Sequence, residues 1–264
     1  FIGKGSGLLA GEDATSGLCV NSVAIGSCAG KCRAHYDVFI GYLAGCSNVD
    51  GRHNILLGSN VGTGVTDGDC NIMIGRLTGC RMTTGNDNVF IGKRAGQCVT
   101  TSCKNIFIGN YAGYSTQNAA VGAENIVLGV NAAMCLGVNA TQNIIIGSGA
   151  GEWLKSGCCN IAIGPYAGHQ NDGGIHNTFL GAYAGGNNTS GCYNIAIGKF
   201  VCLPSATASH QFAIGCCKSH WITGDANFNV GIGTNTTAAV GVGITAKLSV
   251  GIVSAYMLYG CGIN

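Results

Sequence analysis

The phrase Asn-Ile-Phe-Ile-Gly at residues 105–109 returns, with small changes, from one end of the chain to the other. Counting each unit from the residue before the apolar pair, the starts are Ser22, Asp37, Asn54, Asn71, Asn88, Asn105, Asn125, Asn143, Asn160, Asn177, Asn194, Gln211 and Asn229. The steps between them are 15, 17, 17, 17, 17, 20, 18, 17, 17, 17, 17 and 18 residues. A fixed period this short predicts a solenoid, and 17 residues are too few for a pair of helices. The unit reads Asn-[Ile/Val]-x-[Ile/Leu]-Gly-x-x-Ala-Gly, then a polar stretch, often with a glycine at position 15 such as Gly51, Gly68, Gly85, Gly157, Gly174 or Gly191.

Positions 2 and 4 of each unit are β-branched or leucine and alternate at the strand period. Position 5 is glycine throughout, including Gly58, Gly75, Gly92, Gly109, Gly147, Gly164, Gly181 and Gly198, where a corner needs positive φ. Each unit therefore predicts one coil of an all-β solenoid (a β-roll) of about 13 coils with a 17-residue repeat. Coils spaced by about 4.8 Å make a rod of about 60 Å. Residues 1–233 read as the repeat domain, and 234–264 as a non-repeat β segment that either caps the solenoid or connects it to something else. The position-1 asparagines, Asn54, Asn71, Asn88, Asn105, Asn143, Asn160, Asn177 and Asn194 among them, read either as a stacked amide ladder or as plain turn residues.

Position 3 should be polar if only one strand face is covered. Instead it holds Phe39, Leu56, Met73, Phe90, Phe107, Val127, Ile145 and Phe179, with alanines elsewhere. A strand apolar on both faces needs a second partner. We expect positions 2 and 4 to face the coil interior and position 3 to form the oligomer interface of identical rods. A parallel homotrimer is the simplest closed arrangement, and a dimer is not excluded by the pattern.

Composition removes several classes. Charged residues are 9% and net charge is +2, which is no footprint for nucleic acid or an anionic membrane. Glycine is 46 of 264 residues without a collagen period, and 47% apolar content is no disordered linker. No apolar run of membrane-spanning length and no signal peptide is visible, and the opening Phe-Ile-Gly-Lys reads as the middle of a repeat.

The 16 cysteines show no paired Cys-x2-Cys metal pattern and cluster at positions 10, 11 and just before the next asparagine. They read as small corner filler, as cross-links between coils or chains, or, least well, as metal or redox ligands. The six histidines read as loop residues. The turns at 66–69 and 171–174 resemble calcium turns without the nonapeptide series that would support them. Tyr111, Tyr166, Tyr183 and Phe200 share position 7, as a packing ladder or a row for stacking sugar rings. Neither a nucleophile motif nor a phosphate-cradling strand–loop–helix is present, so no enzymatic activity and no cofactor are expected.

Ser-Val-Ala-Ile-Gly-Ser-Cys-Ala-Gly at 22–30 resembles the head repeat of trimeric autotransporter adhesins. The longer unit at 177–198 resembles repeats of bacteriophage tail-fibre and virion-fibre proteins. Residues 229–250 are similar to the stretch that in such fibres precedes a C-terminal intramolecular chaperone domain. The resemblance implies a structural and adhesive fibre segment on a virion surface or otherwise extracellular. Its partners would be other copies of itself, other virion components and a host-surface receptor or glycan, with no nucleic acid. A bacterial surface adhesin head is the runner-up. Left-handed β-helix acyltransferases fit worse, because they carry three hexapeptides per coil where this chain has one. An ice-binding solenoid also fits worse, because threonine is irregular, as in the pairs at 83–84 and 100–101.

Overall fold

A computed structural model describes residues 2–6, 22–31, 35–115, 121–217, 219–227 and 229–233, together with the backbone of 248–250. It is an all-β solenoid with no helix among the described residues. Strands β1 (Val23–Ile25), β2 (Val38–Ile40), β3 (Ile55–Leu57), β4 (Ile72–Ile74), β5 (Val89–Ile91) and β6 (Ile106–Ile108) stack in sequence order. They are followed by β7 (Ile126–Leu128), β8 (Ile144–Ile146), β9 (Ile161–Ile163), β10 (Thr178–Leu180), β11 (Ile195–Ile197) and β12 (Phe212–Cys216). All twelve are parallel, and each repeat position pairs with its own copy: Phe90 with Phe107, then Phe107 with Val127. The stack makes about eleven turns.

Hydrogen bonding between coils does not stop at the three-residue strands. Asn60 N–H donates to the Tyr42 carbonyl at 2.8 Å, Gly62 N–H to Thr78 at 3.0 Å and Cys70 N–H to Arg52 at 2.9 Å. The corners are thus stacked too, which leaves few backbone groups for water to satisfy. Two kinds of positive φ build the corners. At position 5 glycine lies near +130°, as in Gly92 at +131°, a region that excludes side chains. At position 7 and just before each asparagine φ lies near +57°, and residues as unlike as Arg94, Tyr111, Asp87 and Lys104 occupy those sites.

The strand faces the other way from the sequence expectation. Phe39, Leu56, Met73, Phe90, Phe107, Val127, Ile145 and Phe179 are each fully buried inside a single chain, so position 3 is the core and not an oligomer interface. Positions 2 and 4 point outward: Ile55, Ile108, Ile144, Ile163 and Ile195 are 36–42% exposed. The reason is the width of the coil. A strand of three residues between tight corners leaves a lumen one column wide, and the central residue fills it. Positions 8 and 12 close the core from the other sides, for example with Ala95 and Val99, or Val61 and Val65. Large and small residues alternate where the lumen needs it: Phe179 lies between Ala162 and Ala196 in register, while Phe90 and Phe107 stack at 4.9 Å with rings 5° apart. Interdigitation of this kind gives the density of a protein interior in a very narrow space.

The regular stack ends earlier than the repeat count. The unit expected at Asn229 is not a thirteenth coil. β13 (Ser219–Gly224) folds back antiparallel on β12, with a register shift at Ile214/Gly215, and takes the edge the next coil would use. β14 (Val230–Ile232) then pairs antiparallel with β13, and β15 (Leu248–Val250) parallel with β14. The antiparallel pairs end the parallel coil register, while the sheet itself runs on through β14 and β15. Of the segment 234–264 assigned to capping or connection, all but 248–250 lies outside the described residues.

Candidate functional surfaces

The position-1 residues form a buried ladder. Each asparagine Oδ1 accepts the backbone N–H of the next unit's first residue, as from Asn71 to Asn54 at 3.0 Å and from Asn160 to Asn143 at 2.9 Å. In most coils Nδ2 closes the coil by donating to the position-15 carbonyl, as from Asn54 to Gly68 at 2.7 Å and from Asn71 to Gly85 at 2.8 Å. The amide is suited to this because it offers donor and acceptor on one short side chain. The column is structural and has no chemistry of its own.

One rung differs. Asp37 is fully buried, its Oδ1 accepting Asn54 N–H at 2.7 Å and its Oδ2 accepting His35 N–H at 2.8 Å. Position 12 of the same unit is Asn48, whose Nδ2 donates both to Asp37 Oδ2 at 3.2 Å and to the Gly51 carbonyl at 2.8 Å, the role the missing amide would play. Burial pushes the Asp37 carboxyl up, and the backbone donors from Asn54 and His35 only partly oppose it. A folded pKa above the unfolded value means that stability falls as pH rises through the interval between them. The cost is fully present only above that interval. Asp37→Asn is therefore expected to raise the thermal midpoint at pH 7 by roughly 2–4 °C. The gain should vanish below the usual carboxylate range; an equal gain in acid would contradict this account.

The cysteines take places in similar ladders. At position 16, Asp69 and Asn86 side chains accept backbone N–H groups of the preceding coil, and Cys103 Sγ and Cys192 Sγ do the same for Asn86 and Ile175. At position 10, Cys46 Sγ donates to the Thr63 carbonyl, Thr63 Oγ1 to Cys80, and Cys80 Sγ to Gln97. These thiols stand in for hydroxyls and amides, a role that apolar corner filler does not describe. Cys98 and Cys135 are buried, and all thirteen described cysteines are free thiols. No two adjacent described coils carry cysteine at the same position, so like positions meet at about twice the 4.8 Å coil spacing, beyond disulfide reach. Cys19, Cys32 and Cys261 lie outside the described residues. Among the described residues no group of three or more His, Cys, Asp or Glu side chains could hold a metal ion. Asp69 of the turn at 66–69 is engaged in the position-16 ladder, and Asp172 of the turn at 171–174 pairs with Lys155 at 2.9 Å.

The aromatic row is a stack. Tyr166 and Tyr183 lie 4.9 Å apart and Tyr183 and Phe200 4.7 Å apart, with their planes nearly parallel and the His169 ring edge-on to both tyrosines. Each ring covers its neighbour, so the row presents edges where sugar stacking needs faces. A second column, His176–Tyr193–His210, stacks at 5.0 and 5.1 Å just before the asparagines. Tyr111 departs from this pattern. The next residue up its column is Asn131, and its ring carries Lys93 Nζ at 5.9 Å and the Arg94 guanidinium at 5.6 Å.

That corner gathers four cationic side chains, and whole-chain composition hides it. Coiling at 17 residues brings Arg76 and Lys93 into one column at position 6, with Arg94 beside them at position 7 and Arg81 at position 11. Positions 5 to 13 of five successive coils, residues 58–66, 75–83, 92–100, 109–117 and 129–137, contain no carboxylate. Aligning the units by register would have exposed this; summing charges to +2 averaged it away.

Comparison with protein-family models, with curated proteins and with solved structures finds no match to this chain.

Proposed function

We propose that the chain is a rigid, adhesive segment of a virion fibre, a tail fibre or similar appendage, in which identical copies pack side by side as a parallel homotrimer. The observation that supports this is the outer face of the strands. Twelve parallel strands carry isoleucine, valine and leucine outward at positions 2 and 4 in almost every coil, along about 53 Å of stack. A continuous apolar stripe of that length far exceeds the patch a monomer ordinarily leaves in water. Its period is also the same in every copy, so parallel copies match it in register. Hydrogen-bonded corners and a closed core make each rod stiff, which suits a shaft whose product is length. The resemblance of the repeat to virion-fibre repeats points the same way.

The test is the native mass of the assembly, with and without reductant. A trimer that survives reductant is expected, because the described thiols are free and packing holds the copies together. Replacing two outward residues, Ile108→Lys with Ile144→Lys, should yield soluble monomers that keep their β-structure. A wild-type monomer that stays soluble would overturn the assembly.

A further inference from the structure

We infer that the corner formed by Arg76, Arg81, Lys93 and Arg94 beside Tyr111 and Tyr114 is a binding site for an anionic glycan, a polysaccharide bearing carboxylate, sulfate or phosphate groups. The inference rests on the attachment reading for its biological purpose but not for its chemistry. Arg76 and Lys93 are exposed, so their charge is presented to solvent and not spent inside the coil. Among the described residues, the ion pairs of Lys104 with Glu124 and Lys155 with Asp172 have no counterpart for Arg76, Lys93 or Arg94. The first carboxylate along this corner is Glu152, three coils above Lys93. Four cations gathered on two adjacent coils concentrate a local positive field in an otherwise nearly neutral chain.

Two further observations select the ligand. Arg94 Nε is buried and makes no hydrogen bond, so a guanidinium donor is held in place without an acceptor. That nitrogen is out of an anion's reach, and an anion would meet the rest of this half-buried side chain. Next to it stand two tyrosines, Tyr111 and Tyr114, 5.6 Å apart and tilted by 56°. The Tyr114 phenol is protonated at neutral pH like any tyrosine, and burial raises it further. A sugar acid or sugar sulfate offers a C–H face for an aromatic ring and an anionic group for a guanidinium, and this corner holds both within one turn of chain. In the stacked row at Tyr166, Tyr183 and Phe200 the rings cover one another, and Lys199 Nζ over Phe200 at 5.3 Å is a single cation and not a cluster. The cations occupy only two coils, about 5 Å of axis, too short to follow the phosphates of a nucleic acid over several contacts.

The experiment measures binding of the full chain to immobilised heparin, polygalacturonate, a phosphorylated mannan and neutral dextran, by surface plasmon resonance at low and moderate salt. Binding to one or more of the charged polymers and not to dextran is expected, and the responding polymer identifies the anionic group. Arg76→Gln with Lys93→Gln, both exposed side chains, should weaken that binding about tenfold or more. Lys104→Gln with Lys155→Gln, which removes the same charge from outside the four-residue cluster, should leave it within about twofold. Equal loss in both double variants would show charge without a site and overturn the inference, as would equal binding of poly-glutamate or single-stranded DNA. Running the same measurement on an Ile108→Ser, Ile144→Ser variant, which weakens the same outer face without adding charge beside the corner, separates the two readings. Glycan binding retained by a monomer supports the corner even if the native mass rejects the assembled fibre, and a trimer that binds no charged polymer rejects the corner alone.

Discussion

Gly92→Ala is expected to destabilise the solenoid by about 3–5 kcal/mol, the sum of a backbone forced into a glycine-only region and a core that cannot relax. Gly92 sits at φ +131° in the middle of the position-5 column. A Cβ there would lie 2.5 Å from the Gly109 carbonyl oxygen and 2.6 Å from its carbon. Both are backbone atoms of the next coil, so relief requires moving a whole turn and breaking the Gly109 N–H bond to Ile91 at 2.8 Å. Asp87→Ala is the matched comparison. Asp87 is exposed at φ +59°, a left-handed site that other coils fill with histidine, cysteine or lysine, and its replacement should cost less than about 1 kcal/mol. Thermal unfolding followed by circular dichroism distinguishes the two. Equal midpoints would mean that the column tolerates a side chain and that its glycines are not enforced by coil stacking.

The contrast between those two sites explains what could be read in advance. The period, the strand positions and the position-5 glycines are legible because backbone geometry writes them directly: only glycine survives at φ near +130°, so the column repeats without exception from Gly26 to Gly198. The left-handed sites at position 7 and before each asparagine are not legible, since Arg94, Tyr111, Glu124 and Gln142 all accept φ near +60°. The direction of the strand was misread for a different reason. Alternation distinguishes faces only when one is polar, and here Ile106, Phe107 and Ile108 are apolar in succession. What decides the matter is the lumen width, set by corners on either side of a three-residue strand. A signal for the end of the stack was present. The unit beginning at Gln211 has Lys218-Ser219 where most others have a small residue and glycine, and that is where β13 turns back.

Inverting the strand faces changes the argument for assembly without removing it. Phenylalanines on the outside would give a bulky, irregular seam, because position 3 ranges from Ala162 to Phe179. The true outer columns are almost uniformly isoleucine, valine and leucine, a smoother surface on which neighbouring rods can lie at constant distance. Irregular sizes are absorbed inside, where Phe179 compensates for Ala162 and Ala196. The cationic corner was missed for a related reason: a solenoid converts residues 17 apart in sequence into neighbours, so Arg76 and Lys93 act together although nothing local joins them.

Asn105→Ala should cost about 2–4 kcal/mol and open the rod at its middle. Asn105 is fully buried; its Oδ1 accepts the Asn125 backbone N–H at 2.9 Å and Asn125 Nδ2 at 3.1 Å, and its Nδ2 donates to the Cys103 carbonyl at 3.2 Å. Alanine strands the Asn125 N–H in a dry interior, whereas Asn125 Nδ2 keeps the Ala140 carbonyl at 2.7 Å, so one orphaned donor and a small cavity carry most of the cost. Because each coil touches only its neighbours, the loss should appear first as faster amide exchange around residues 88–125, before the global transition shifts. Asn105→Asp gives a separable result. It keeps the acceptor but buries a carboxylate as Asp37 does, without an Asn48 to compensate, so its stability should recover toward the parent as pH falls. If Asn105→Asp matched Asn105→Ala at every pH, acceptance of the next coil's N–H would not be what the ladder contributes. The two ends fit the same logic. Ser22 Oγ accepts Asp37 N–H at 3.1 Å below, and above, Gln211 N–H donates to Asn194 Oδ1 at 2.8 Å while its longer amide reaches Ser205 and Ala208. The hydroxyl and the longer amide occur where the column begins and ends, and nearly every rung between them needs the geometry of asparagine.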